Sequence, residues 1–130
     1  MNKIVLDSSA LLAILHEEPG AEVFTRRLDL LENATMSAVN VAEAYGKLVG
    51  QGIALEEAWE AVIAPIPEIV DFDSEQAKIA GWLLPQTRLR GLSLGDRACL
   101  ALGLALKAPI YTADRAWKEL ILDVAIHVIR

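Results

Sequence analysis

A single cysteine, Cys99, means that the chain forms no intramolecular disulfide and no cysteine zinc cage. Histidine is also scarce: His16 and His127 stand far apart in sequence, and neither has metal-ligand spacing. Long apolar runs are missing, because Asp, Pro or Gly interrupts every uncharged stretch before the roughly 18 residues a bilayer span needs. No basic segment followed by a long apolar one opens the chain, so no secretory signal is visible. A basic surplus is lacking too. The net charge of −6 argues against broad, non-specific coating of nucleic acid. It leaves room for a local basic rim beside an acidic site, and it suits a basic protein partner. Internal repeats, low-complexity tracts and domain-separating linkers are absent. The expectation is one cytoplasmic domain over residues 1–130, with no membrane association.

What the chain does have is apolar content, 54% of 130 residues, enough to cover both faces of a sheet. Ile4-Val5-Leu6 reads as a buried strand, stopped by Asp7, with a helix following from Ser8-Ser9 through Leu15. After the polar break His16–Gly20, residues 21–31 carry Val23, Phe24, Leu28 and Leu31 at helical spacing. Ala34-Thr35-Met36 is extended, and Ser37 caps a helix from Ala38 to Val49 that ends at Gly50-Gln51-Gly52. A further helix, Leu55–Ile63, stops before Pro65 and Pro67, and Glu68–Asp71 reads as a strand. Asp73-Ser74-Glu75-Gln76 resembles a capping box opening a helix to Leu84, and Pro85–Leu92 reads as a loop. Ser93 caps Leu94–Leu106, a helix apolar almost all round and therefore buried. Pro109–Thr112 and Val124–Ile129 read as strands, with a turn and short helix at Asp114–Trp117. Alternating strands and helices predict a parallel sheet with helices on both faces.

Four acids stand out by position. Asp7 and Asp114 follow strands, Asp96 lies in the first turn of the buried helix, and Glu43 lies within the helix after the second strand. Each has an ordinary explanation. Asp7 and Asp114 can cap helices, Asp96 suits the helix dipole, and Glu43 has the i, i+4 order of a surface pair with Lys47. Asp73 has the same profile and is read only as a cap. Yet Asp96 opens a helix with almost no polar face, and Glu43 sits among Val39, Val41, Ala42, Ala44 and Tyr45. Carboxylates converging in such surroundings repel one another unless a divalent cation neutralises them. All-oxygen ligation selects Mg²⁺ or Mn²⁺ over zinc.

Taken in order, Val5-Leu6-Asp7-Ser8-Ser9-Ala10-Leu11, Ser37 with Glu43, Leu92-Ser93-Leu94-Gly95-Asp96-Arg97-Ala98, and Tyr111-Thr112-Ala113-Asp114-Arg115 with Trp117 resemble a PIN-domain ribonuclease. Within that family the chain is most similar to VapC toxins of bacterial and archaeal toxin–antitoxin pairs. The resemblance spans nearly the whole chain. It implies a three-layer α/β/α sandwich around a parallel sheet of four or five strands. It also implies a Mg²⁺ or Mn²⁺ site formed by Asp7, Glu43, Asp96 and Asp114, with Ser9 and Thr112 as nearby hydroxyls. Asn40, a helical turn before Glu43, faces the same cleft in this reading.

The implied reaction is hydrolysis of an RNA phosphodiester, leaving 5′-phosphate and 3′-hydroxyl ends. A structured RNA such as tRNA or rRNA is the implied substrate. A cognate antitoxin and a homodimer are the implied partners. Arg88, Arg90, Arg97, Arg115 and Lys118 lie close in sequence to the third and fourth acids and are candidates for phosphate contacts. Cys99 reads as core, Trp59 and Trp82 as packed in helix or subunit interfaces, and Trp117 as a buttress of the site. His127 reads as an edge residue. The rival readings are a phosphotransfer module and a non-catalytic module whose acids are caps or bind a basic partner. A receiver would need paired acids near the first strand and a late lysine. An Asp-nucleophile phosphatase would need a second Asp where Ser9 stands.

Overall fold

Ile4-Val5-Leu6 forms β1 (Ile4–Leu6), the middle strand of a five-stranded parallel sheet, and all three side chains are buried. The computed structural model describes residues 2–130. β2 (Ala34–Ser37) and β4 (Ile110–Thr112) flank β1, and β3 (Glu68–Val70) and β5 (Ile126–Val128) form the edges, giving the order β3-β2-β1-β4-β5. Ile4 lies beside Ala34, Val5 beside both Thr35 and Ile110, and Leu6 beside Tyr111. Alternation along β1 divides the core. Ile4 and Leu6 pack with Phe24 and Ala34, whereas Val5 packs with Leu100, Leu102, Ile110 and Trp117. A strand apolar on both faces is what a sheet covered on both sides requires.

The helices are α1 (Ser8–Leu15), α2 (Glu22–Arg26), α3 (Leu28–Glu32), α4 (Ala38–Gly50), α5 (Leu55–Ile63), α6 (Ser74–Trp82), α7 (Leu84–Thr87) and α8 (Leu94–Leu106). Side-chain caps start three of them. Ser37 Oγ accepts from Val39 N–H (3.2 Å), Asp73 Oδ1 from Gln76 N–H (2.9 Å), and Ser93 Oγ from Asp96 N–H (3.2 Å). Asp73 makes only half of the expected capping box, because the Gln76 amide donates instead to the Asp71 carbonyl (3.0 Å). The helix expected over 21–31 is broken at Arg27 (φ −132°, ψ 69°), whose guanidinium forks onto Asp29 at 2.9 and 2.7 Å. The loop expected over 85–92 is instead helical α7 followed by a 3₁₀ turn, Arg88–Arg90, that ends at Gly91 with φ +69°. Pro85 sits in the first turn of α7, where its missing N–H costs no helical bond.

Trp82, expected in a helix or subunit interface, is 67% exposed, which corrects the helix interface and leaves the subunit contact untested, while Trp59 packs edge-on against Tyr45. Cys99 and Trp117 are fully buried, and His127 stacks on Tyr111.

Candidate functional site: an acidic cleft at the sheet's carboxyl edge

The chain leaves β1 towards one side of the sheet and later returns on the other side as β4. The carboxyl ends of β1 and β4 therefore stand next to each other where the winding reverses, the point at which open α/β sheets leave a crevice. Asp7 and Asp114 follow these two strands. α4 and α8 bring Glu43 and Asp96 to the same place, and all four acids line one cleft of about 260 Å³ with Ser8, Ser9, Leu12, Lys47 and Ser93.

Asp7 occupies the N-cap position of α1, but its side chain makes no cap bond. Instead its Oδ2 accepts from Ser9 Oγ (2.6 Å) and Thr112 Oγ1 (2.9 Å). Those hydroxyls are themselves fixed by backbone: Ala113 N–H donates to Ser9 Oγ (2.9 Å) and Asp114 N–H to Thr112 Oγ1 (3.1 Å). The end of β4 thus holds Asp7 through two hydroxyl relays. Asp7 Oδ1 is buried and has no hydrogen-bond partner among the described residues. Burial pushes the Asp7 carboxyl up to about 6, with the nearby charge of Asp96 adding to the rise and the Ser9 and Thr112 bonds opposing it.

The other acids are positioned by different devices. Asp96 completes a reciprocal capping box, its Oδ2 accepting from Ser93 N–H (2.9 Å). Asp114 Oδ1 accepts from Ala116 N–H (2.9 Å), starting the 3₁₀ turn Arg115–Glu119. In both, one oxygen is used as a cap and the second remains outside that bond. Glu43 Oε1 accepts from Asn40 Nδ2 (2.9 Å) and Ser8 Oγ (3.3 Å) rather than pairing with Lys47. Asn40, fully buried, also donates to the Gly95 carbonyl (2.9 Å) and so ties α4 to α8. Beneath the acids lies Cys99, whose thiol is pushed up by burial first and then by the charges of Asp7, Asp96 and Glu43.

Among the described residues, no three His, Cys, Asp or Glu side chains close into a metal cage. Mg²⁺ rarely uses one; it takes one or two carboxylates and completes its shell with water and substrate phosphate. The unpartnered Oδ1 of Asp7, buried beside other carboxylates, fits such an ion, because an acceptor left bare inside a protein is otherwise costly.

A family model described as PIN domain matches residues 4–121. The chain belongs to the PIN domain family. No curated protein sequence matches it. Its fold is similar to that of chains in VapBC2 from Rickettsia felis bound to a promoter DNA fragment (16% identity, 98% of each chain, TM-score 0.76). It is also similar to chains in DNA-bound VapBC from Salmonella typhimurium (16% identity, 100% of each chain, TM-score 0.73). A third similarity is to FitAcB from Neisseria gonorrhoeae (22% identity, 95% of this chain and 96% of that one, TM-score 0.69).

In this PIN domain the cleft lining among the described residues includes none of the five cations singled out from the sequence. Arg97 turns inward, donating from Nη1 to the Ala80 carbonyl (2.9 Å) with its Nε buried. Arg90 pairs with Glu119, and Arg115 donates to the Arg130 carbonyl (3.2 Å). Arg88 and Lys118 are exposed. Ser8, in the cleft lining, and Gly95, behind Glu43, carried no role of their own in the sequence reading, and Lys47 figured there only as a surface partner of Glu43. A Cβ on Gly95 would collide with the Glu43 carboxylate, so the close approach of α4 to α8 requires glycine there. A glycine inside the first turn of an otherwise apolar helix was the available signal.

Proposed function

We propose that this PIN domain is a Mg²⁺- or Mn²⁺-dependent endoribonuclease and the toxin of a toxin–antitoxin pair. The observation that carries the reading is Asp7, a buried carboxylate that caps nothing and keeps one oxygen bare. One or two of Asp7, Glu43, Asp96 and Asp114 would hold the ion directly, and the others its coordinated waters. When bound, it supplies Lewis-acid stabilisation of the phosphoryl oxygens and a hydroxide-like nucleophile at neutral pH. The chain's own contribution is orientation. Ser9 and Thr112 fix Asp7, capping bonds fix Asp96 and Asp114, and Asn40 and Ser8 fix Glu43. Such preorganisation spares the reaction the cost of turning dipoles towards the developing charge. The substrate in this reading is a structured RNA such as tRNA or rRNA. The VapBC structures bound to DNA, and a similar chain from Mycobacterium tuberculosis described as a member of the VapBC family of toxin–antitoxin systems, support a cognate antitoxin as partner. The proposed site of action is the cytoplasm; among the described residues no helix is long and apolar enough to cross a membrane.

The caps made by Asp96 and Asp114 favour one rival, a module whose acids serve structure alone. Expression of the chain without a partner, beside Asp96→Asn, separates the two. The expected outcome is growth arrest with a few sharp new 5′-phosphate RNA ends, both lost in the variant. Purified protein should bind Mn²⁺ saturably, with the affinity lost in Asp96→Asn. No Mn²⁺ binding by the parent chain would sink the ribonuclease reading.

A further inference from the structure

Ser9, Leu12 and Lys47 line two hollows at once. One is the acidic cleft. The other, of about 240 Å³, continues from it past the end of α1 and the second half of α4, where it is bounded by His16, Glu18, Gln51 and Arg130. The charge balance shifts across the shared wall: carboxylates dominate the cleft, whereas the second hollow sets Lys47, Arg130 and the His16 imidazole against a single carboxylate, Glu18, which Arg130 engages. Lys47 is exposed and makes no ion pair among the described residues. Arg130 is held in place by Nη1, which donates to Glu18 Oε1 (3.1 Å) and the Pro19 carbonyl (3.2 Å), leaving Nε and Nη2 outside those bonds.

We propose that this second hollow binds the phosphodiester backbone of the RNA strand next to the cleaved bond, with Lys47 and Arg130 as its phosphate contacts. The inference rests on the ribonuclease reading and adds the path the strand takes. An internal phosphodiester can reach the acids only if the neighbouring nucleotides leave the cleft along some surface. A polyanion cannot leave along carboxylates. Of the cations near the site, Arg97 is turned into the α6–α8 contact, while Arg90 and Arg115 are engaged elsewhere; Lys47 lines the cleft itself. Among the described residues no Phe, Tyr or Trp lines the second hollow, so its contacts are to backbone rather than to stacked bases.

The test measures anisotropy of a labelled 12-nucleotide single-stranded RNA of mixed sequence in the Asp96→Asn background, with Mg²⁺ fixed and KCl varied. Each phosphate contact on a single strand contributes about 0.7 to the slope of log affinity against log salt. Lys47→Gln should lower the slope by about 0.7 and Lys47→Gln with Arg130→Gln by about 1.4. Lys47→Arg should restore it, and Arg88→Gln and Lys118→Gln should leave it unchanged. An unchanged slope in the double variant, equal losses from Arg88→Gln, or no RNA binding at all would overturn the subsite. Cleavage by the parent chain is scored separately, so RNA ends that persist without a Lys47 effect remove the subsite and leave the nuclease. Circular dichroism of each variant excludes misfolding.

Discussion

A carboxyl group with one oxygen bonded twice and the other not at all is poorly suited to carry a charge unaided. Asp7 is 2% exposed, and its carboxyl is pushed up to about 6 from the usual 3.8, mainly by burial. The fold therefore favours the protonated form over the unfolded chain. That stabilisation is fully present below 3.8 and is lost as pH rises through about 6, for a total of roughly 3 kcal/mol. Asp7→Asn stays neutral throughout, so in EDTA its melting temperature should gain on the parent's as pH rises from 4 to 7. For a chain of this length the relative gain is up to roughly 10 °C. Mg²⁺ should narrow the gap by stabilising only the parent. A difference that stays flat with pH would show that ionised Asp7 pays no penalty.

At the level of elements, the cleft depends on how closely α4 approaches α8. Asn40 bridges the Glu43 carboxylate and the Gly95 carbonyl, and Gly95 leaves the space that carboxylate fills. Asn40→Ala removes the second bond to the Gly95 carbonyl, which keeps its helical partner, and frees Glu43, at a cost of roughly 1 kcal/mol. Gly95→Ala is more discriminating. Helix propensity alone would stabilise it by about 1 kcal/mol, so any loss in chemical denaturation reports the collision with Glu43. Both should weaken Mn²⁺ binding at least several-fold in calorimetry; unchanged affinity in both would deny Glu43 a part in the ion's site. This bridge was not legible in the sequence. Asn40 and Gly95 lie 55 positions apart, and the acceptor is a main-chain carbonyl that no side-chain pattern announces. Asp7, Asp96 and Asp114 were legible because they sit at element ends, where strand periodicity stops or a cap begins. The break at Arg27 was hidden because apolar spacing runs unbroken through it, and α7 because proline reads as a breaker even where a first turn accepts it.

Across the whole molecule, alternating strands and helices made a parallel sheet readable, but not its order; only the order β3-β2-β1-β4-β5 brings Asp7 and Asp114 to one crevice. The fold also leaves apolar surface uncovered. Trp82, Leu84, Leu89 and Leu94, close in sequence between α6 and α8, are 67%, 42%, 97% and 56% exposed. A chain of net charge −6 repels its own copies, so an apolar contact has to outweigh that repulsion if the expected homodimer forms. These residues are the strongest candidates for it, because an aromatic anchor such as Trp82 in the dry centre of an interface carries much of its energy and the flanking leucines exclude water. Sedimentation of the parent chain should therefore give a dimer, and Trp82→Ser with Leu89→Ser should give a monomer. Thermal stability per chain should fall only through the lost association, since exposed side chains contribute within about 0.5 kcal/mol to folding. A dimer that survives both substitutions would move the interface elsewhere, and a monomeric parent would leave this apolar surface to a different partner.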